Sequence, residues 1–430
     1  MKKKSFALGY SYVIHSLLMY WIYGVAASSG MQYTAPAYAA AHGLDYSTLI
    51  GWNTVGAFAS CLFTLFMGKL IVKKGVRLVT TISLFLAGVF GMLILNYTSS
   101  YFGWAFSSIF TQGLTQGYCF GATNTLITNW FPKKKGFVMG ITTCGIMLAG
   151  MTYIPIMAKM SIGGMATLVG VTFIVLAVAT WFWVRNNPEE VGLYPDNHKP
   201  TAEEIAEAAA KKEALKNFKS TWTWKHLLKR KEFWLFMLFG GFGLLATTGS
   251  AVSGRPFWNE LGFADNGYLI YMQFSSAACI VGSLVTGAID SKWGPRASAL
   301  FYAIVAAFAF GAAPLMTLLG LAVPPWFLIA TMLMASAMLG ATSNLIPSLI
   351  VSSFGRMDFA EVFRKIYMGC FLLRSFCYLA VGPGVKALGS YGNVRLFFGV
   401  LFVLCAVFVA FTSDKKVIPS PPAEPVKGAK

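Results

Sequence analysis

The sequence predicts an all-α membrane protein: twelve transmembrane helices in two six-helix repeats, with the N- and C-termini cytoplasmic. Three observations predict this. The chain is 56% hydrophobic and only 12% charged, about half the charged fraction of a water-soluble protein. Apolar stretches long enough to cross a bilayer recur at 10–33, 47–71, 78–96, 101–130, 137–158, 165–184, 233–254, 267–289, 297–319, 325–352, 366–385 and 393–412. Finally, the chain is written twice. "GATNTLI" at 121–127 returns as "GATSNLI" at 340–346, and "GKLIVKKGVR" at 68–77 returns as "GAIDSKWGPR" at 287–296, both displaced by 219 residues.

Loop charge supports the count, because a missed span would scramble its alternation. Lys2, Lys3 and Lys4 precede the first span, and Lys69, Lys73, Lys74 and Arg77 follow the second. Lys133, Lys134 and Lys135 follow the fourth. The outer loops are assigned only Lys159, Arg255, Lys386 and Arg395. Four regions result: an N-terminal bundle (1–184), a cytoplasmic central loop (185–232), a C-terminal bundle (233–412) and a cytoplasmic tail (413–430). "MKKK" before an apolar run also fits a signal peptide, but its removal would leave eleven spans and break the repeat. In the central loop, Thr201 to Glu204 forms a capping box, and "TWTWKHLLKRKEFW" reads as an interfacial segment with Trp222 and Trp224 at headgroup depth. Gly136 with Gly140, and then Gly145 and Gly150, are expected to let helices approach closely, and Pro36, Pro155, Pro347 and Pro383 to kink them.

The net charge of +18 is then topology information, together with attraction to anionic inner-leaflet lipid. No nucleic-acid partner is expected, since no basic soluble domain is present. The seven cysteines fall inside spans with no metal-ligand spacing, so neither a metal nor a cofactor is expected. Four scattered histidines and spans without carboxylates give no catalytic constellation, so an enzyme is not expected.

A glycine-and-basic loop after helices 2 and 8, in a six-plus-six chain with a long central loop, resembles the major facilitator superfamily. Gly68, Gly75, Arg77, Gly287, Gly294 and Arg296 fit the motif. Val72 and Ser291 stand where the family has an acid, although Asp290 is adjacent. The resemblance implies that this loop latches the two halves in one state. "GMQYTAPAY", "NWFPKKKGFVMGI" and "RNNPEEVGLYPD" resemble the oxalate/formate antiporter family and its monocarboxylate-carrying relatives. That implies a secondary transporter for a small organic anion.

The residue that speaks to cargo is Arg374, inside "CFLLRSFCYL". At 1.5 Å per residue it lies roughly 13 to 18 Å from Lys365 and Lys386, the nearest charges. A guanidinium at that depth costs about 2.5 to 3.5 kcal/mol to insert and does not deprotonate. Compensation could come from a buried acid, from carbonyls freed by the "GPG" at 382–384, or from an anionic substrate. No acidic residue falls in the middle of a span. The substrate is the reading preferred, because paired N–H donors match a carboxylate. The resemblance agrees: relatives that carry small dicarboxylates have a basic residue here and a second on helix 8, where this chain has Ser283. One charge predicts a monovalent anion, since a dianion would leave charge uncompensated at a cost of several kcal/mol.

Helical spacing places Tyr367, Cys370, Cys377 and Tyr378 on the face of Arg374. Gln32 and Tyr33 match the family's helix 1 motif, although a position near the outer end also suits an aromatic belt. Ser343, Asn344, Tyr271 and Gln273 complete the candidate substrate contacts. Anion exchange or facilitated diffusion by alternating access is expected, in the cell membrane and as a monomer, with a small organic anion and the lipid bilayer as its partners. A proton-coupled symporter, a multidrug exporter and a receptor that moves no cargo remain alternatives.

Overall fold

The computed structural model describes residues 2–131, 135–195, 221–412 and 418. The capping box at Thr201, most of the central loop, Lys133 and Lys134, and nearly all of the tail lie outside the described residues. Every regular element among the described residues is helical. Eight helical stretches among them are long and apolar enough to cross a membrane, from Val76–Asn96 to Tyr391–Ala410.

The other four expected spans take other forms. The first is two helices, α1 (Lys2–Ala27) and α2 (Met31–His42). At the break, Gly30 N–H donates to the Gly24 carbonyl, and a Cβ on Gly30 would lie 1.7 Å from the Val25 carbonyl oxygen. The span therefore runs nine residues beyond the expected end at 33. The second is one helix, α3 (Tyr46–Lys74), whose N-cap Asp45 accepts from Thr48 N–H at 2.8 Å. After α4 (Val76–Leu86) and a π-helical turn at Ala87–Met92 comes the fourth span, in three pieces: α5 (Tyr101–Gly113), α6 (Thr115–Tyr118) and α7 (Phe120–Trp130). Carbonyls released there are retaken by side chains. Thr115 Oγ1 donates to Gln112 O and the Tyr118 hydroxyl to Thr111 O, each at 2.7 Å.

The chain continues through α8 (Lys135–Thr152), α9 (Ile154–Met157), α10 (Ile162–Trp183) and a short α11 (Trp224–Leu227). Then follow α12 (Lys231–Glu260), α13 (Asp265–Trp293) and α14 (Pro295–Leu318). The tenth and eleventh spans merge in α15 (Pro325–Ser375), bent at Gly355 with φ 77°. The eleventh continues as α16 (Cys377–Val381) and α17 (Pro383–Leu388), and α18 (Tyr391–Ala410) closes the fold. Pro155 and Pro383 each sit in the first turn of a short helix after a break, where a missing N–H does no harm.

By packing, the chain forms two compact units: Met1–Lys199 with Thr248–Ala277 and Ser375–Val394, and Pro200–Thr247 with Ala278–Arg374 and Arg395–Lys430. In the first unit α1 and α8 meet closely. A Cβ on Gly145 would fall 2.2 Å from Leu17 O and 2.9 Å from Trp21 N, both backbone atoms that cannot rotate away. Replacing Gly145 by leucine is expected to cost at least the upper end of the ~1–3 kcal/mol range for overpacking, read as a lowered melting temperature in detergent. An unchanged melting temperature would show that the helices part freely.

The sequence repeat is also a repeat of backbone. Gly75 (φ 86°, ψ 156°) caps the start of α4 and Gly294 (φ 88°, ψ 165°) that of α14, each inside the repeated segment. This conformation is essentially restricted to glycine.

Candidate functional site

In the second unit, Arg374 is the penultimate residue of α15, half-buried, with its guanidinium carbon 5.5 Å from the Phe371 ring centroid. A ladder of rings leads to it along one helix face. Phe359 and Phe363 stack at 5.1 Å, Phe363 and Tyr367 at 4.6 Å, and Tyr367 meets Phe371 edge-on at 4.8 Å. Each step is one helical turn, so the spacing alone produces the stripe. Tyr367 and Arg374 are thus joined through Phe371. Cys370, expected on this face, instead turns its Sγ toward Met237 O at 3.5 Å on α12. Ser343 and Asn344 lie in α15, with their side chains outside the described set.

Tyr378 belongs to the first unit, in α16. The helix of Arg374 ends at Ser375, and the Tyr378 hydroxyl donates to Gln112 Oε1 at 2.8 Å, fully buried. Gln32 and Tyr33, also in the first unit, sit roughly 15 Å along α2 from its end at His42, deeper than the span ending at 33 implied. There they form a cluster. Gln32 Oε1 accepts from Arg255 N–H at 3.0 Å and from the Tyr268 hydroxyl, and Gln32 O accepts from Arg255 Nη1 at 3.3 Å. The guanidinium of Arg255 lies 4.6 Å from the Tyr33 ring centroid, and Tyr33 donates to Met272 Sδ at 3.9 Å. Tyr271 stacks on Trp258 at 5.5 Å and leans on Tyr268 at 5.6 Å. Gln273 is exposed and outside this cluster.

Arg255 was assigned to an outer loop because its apolar run ends at 254. The helix continues through Pro256 to Glu260, so the side chain is a member of α12 and not of a loop. Arg395 is likewise helical. It is buried in α18 with its guanidinium 5.2 Å from the Phe310 ring centroid.

The end of this unit away from the basic loops is tied by polar contacts. Ser47 Oγ donates to Gly382 O at 2.7 Å, and Glu260 Oε2 accepts from Tyr391 N–H at 2.7 Å. Lys386 Nζ reaches Asp45 Oδ2 at 2.7 Å; this bond, with those from Thr48, holds the Asp45 carboxyl down to about 2. Because the folded value is depressed, the pair contributes above the ordinary carboxylate value of 3.8 and is lost as pH falls toward 2. The pair is half exposed and contributes at most about 1 kcal/mol. The melting temperature of Asp45→Asn is expected a degree or two below wild type at neutral pH, the difference narrowing below pH 4. A gap independent of pH would assign the loss to the helix cap instead.

At the opposite end three motifs converge. Arg77 N–H donates to Asn186 Oδ1 at 2.9 Å, Asn129 Nδ2 to Asn186 O and Asn187 Oδ1 at 3.1 Å each, and Trp130 Nε1 to Arg185 O at 3.1 Å. In the second unit Asp290 Oδ2 accepts from Ser348 Oγ at 2.6 Å, and Arg296 Nη2 donates to Ala410 O at 2.7 Å. Gly68 and Gly287 face open space.

The Major Facilitator Superfamily model matches residues 16–362. The chain belongs to the major facilitator superfamily. It is a multi-pass membrane transporter and not an enzyme, and it moves a small molecule by alternating access. No curated protein is similar enough in sequence to count as a match. Among solved structures it is similar to a D-xylose-proton symporter, at 13% identity and a TM-score of 0.70 over 96% of this chain and 99% of that one. It is similar also to the inward-open xylose transporter XylE from E. coli, at 14% identity and a TM-score of 0.72 over 98% of each chain. At these identities the likeness establishes the superfamily fold and no substrate.

Proposed function

We propose that the protein carries a small monovalent organic carboxylate across the cell membrane by exchange or facilitated diffusion, as a monomer with both ends of the chain in the cytoplasm. The observation that carries this reading is the half-buried guanidinium of Arg374. It lies roughly 28 Å along its helix from the bend at Gly355. A planar fork of donors at mid-span, beside a wall of aromatic rings, is suited to one carboxylate and the short apolar body attached to it. Arg255 and Arg395, two other helical arginines of this half, lie within about two turns of a helix end. The resemblance to monocarboxylate-carrying relatives in the motifs around Gln32, Trp130 and Asn186 supports the same class. The anion neutralises Arg374, so that the loaded carrier reorients more readily than the empty one, which favours exchange.

Counterflow in proteoliposomes tests this with a panel of monocarboxylates, dicarboxylates, xylose and an organic cation. Monocarboxylates are expected to exchange and dicarboxylates to be rejected. Transport of the sugar or the cation in place of monocarboxylates would overturn the organic-anion reading, and net flux as fast as exchange would overturn the coupling.

A further inference from the structure

A groove of about 280 Å³ runs along the outside of the first unit between α4 and α10, lined by Thr81, Ile82 and Phe85 on one side and Val178, Trp181 and Phe182 on the other. Apart from the Thr81 hydroxyl its lining is apolar, and Ile82, Phe85, Val178 and Phe182 are exposed. Arg77 stands one turn before Thr81 on α4, its guanidinium carbon 4.4 Å from the Trp181 ring centroid. Two polar atoms at this end are buried with no hydrogen-bond partner among the described residues: Arg77 Nε and Thr81 Oγ1. Buried donors are normally satisfied. Arg185 sits at the same end of α10, using Nη1 on the carbonyls of Phe182 and Val184 and keeping further donors of its fork.

The other repeat is an internal comparison. Arg296 occupies the place of Arg77 in the second copy of the loop; its Nε is likewise buried without a partner among the described residues, but its Nη2 donates to Ala410 O. The Arg77 side chain makes no such bond among the described residues, only the ring contact with Trp181. Val72 stands in its loop where relatives place an acid.

We propose that this groove holds one anionic glycerophospholipid, with an acyl chain along Phe85, Val178 and Phe182 and its phosphate on Arg77. The site is on the outer surface of the first unit and does not depend on what the carrier transports. Charge complementarity selects the occupant. A guanidinium at the mouth of an apolar channel, with Lys73 and Lys74 exposed in the preceding turn, suits a phosphodiester with no balancing cation, and phosphatidylcholine carries one. Thr81 Oγ1 is one turn deeper, at the level of the glycerol esters.

The test is native mass spectrometry of the purified full chain, equilibrated in detergent with equimolar phosphatidylglycerol and phosphatidylcholine of identical acyl chains. One phosphatidylglycerol per chain is expected to be retained, about fivefold over phosphatidylcholine, the factor equivalent to about 1 kcal/mol for a basic side chain at a charged bilayer surface. Arg77→Gln is expected to bring the two lipids to parity. Val178→Trp, which fills the groove and leaves every cation in place, is expected to abolish retention of both, and it decides the matter should Arg77→Gln fail to fold. Equal retention by wild type, a preference that survives Arg77→Gln, or retention that survives Val178→Trp would each overturn the proposal. So would displacement of the lipid by millimolar glycerol phosphate, which would assign the site to soluble phosphate.

Discussion

Replacing Arg374 by glutamine is expected to weaken monocarboxylate binding roughly a hundredfold and to abolish counterflow at substrate concentrations that saturate the wild type. The factor corresponds to about 3 kcal/mol, within the range for removing one member of a buried charge-assisted pair. Arg374→Lys separates charge from shape. It keeps the cation and loses the paired donors, so affinity is expected to fall by an intermediate factor of about ten. Folding is expected to be unharmed by glutamine, since removing a mid-span charge also removes its insertion cost. Tryptophan fluorescence titration gives affinity, and counterflow gives transport. Normal transport by both variants would make Arg374 a packing residue, held by Phe371 and the end of its own helix, and would remove the basis for a carboxylate substrate.

Gln32→Ala carries the second large effect. One buried oxygen, Gln32 Oε1, accepts from the Arg255 backbone and the Tyr268 hydroxyl and so ties α2 to α12 and α13. Without it two donors remain in a buried place, at about 1–3 kcal/mol for such a group, and Arg255 loses the contact that steadies it over Tyr33. A shift of about 2 kcal/mol, roughly 30-fold, toward a state with this end parted is expected. A cysteine placed at Met272, buried beside Tyr33, reports it: on a cysteine-free background its labelling by a membrane-impermeant thiol reagent should accelerate by that factor. Gln32→Glu keeps the acceptor oxygen and should restore the slow rate. Identical rates in Gln32→Ala and wild type would reduce the cluster to ordinary helix packing.

Much of this fold was legible in the sequence because the bilayer imposes it. Apolar length and loop charge are direct consequences of a hydrocarbon slab, so the spans from 137–158 through 297–319 coincide closely with helices. Breaks inside a span leave no mark on hydropathy. The turn at Ser28–Gly30 lies inside the apolar stretch 10–33, and the helix after it runs on to His42, so Gln32 and Tyr33, expected near the outer end, sit deeper. The joint after Ser375 is still quieter, since "RSFC" has neither proline nor glycine. Spacing along a continuous helix put Tyr378 beside Arg374, yet its hydroxyl is engaged by Gln112. Arg255 was missed because an arginine followed by a proline reads as a loop. The sign that it continues a helix was the run "FWNE", which extends one more turn before the glycine at 262. The aromatic ladder is written in the sequence as rings at every fourth position from Phe359 to Phe371.

The twin glycines at 75 and 294 bear on how the two halves have diverged. At both positions the backbone occupies a region closed to residues with a side chain, so any substitution costs about 1–3 kcal/mol wherever it arises. A charge in the loop faces no such barrier: Val72 and Ser291 occupy the positions where the family resemblance expects an acid, and the fold forms both bends without one there. What the two copies of this chain share is therefore the place where the backbone turns, more than the charges around it.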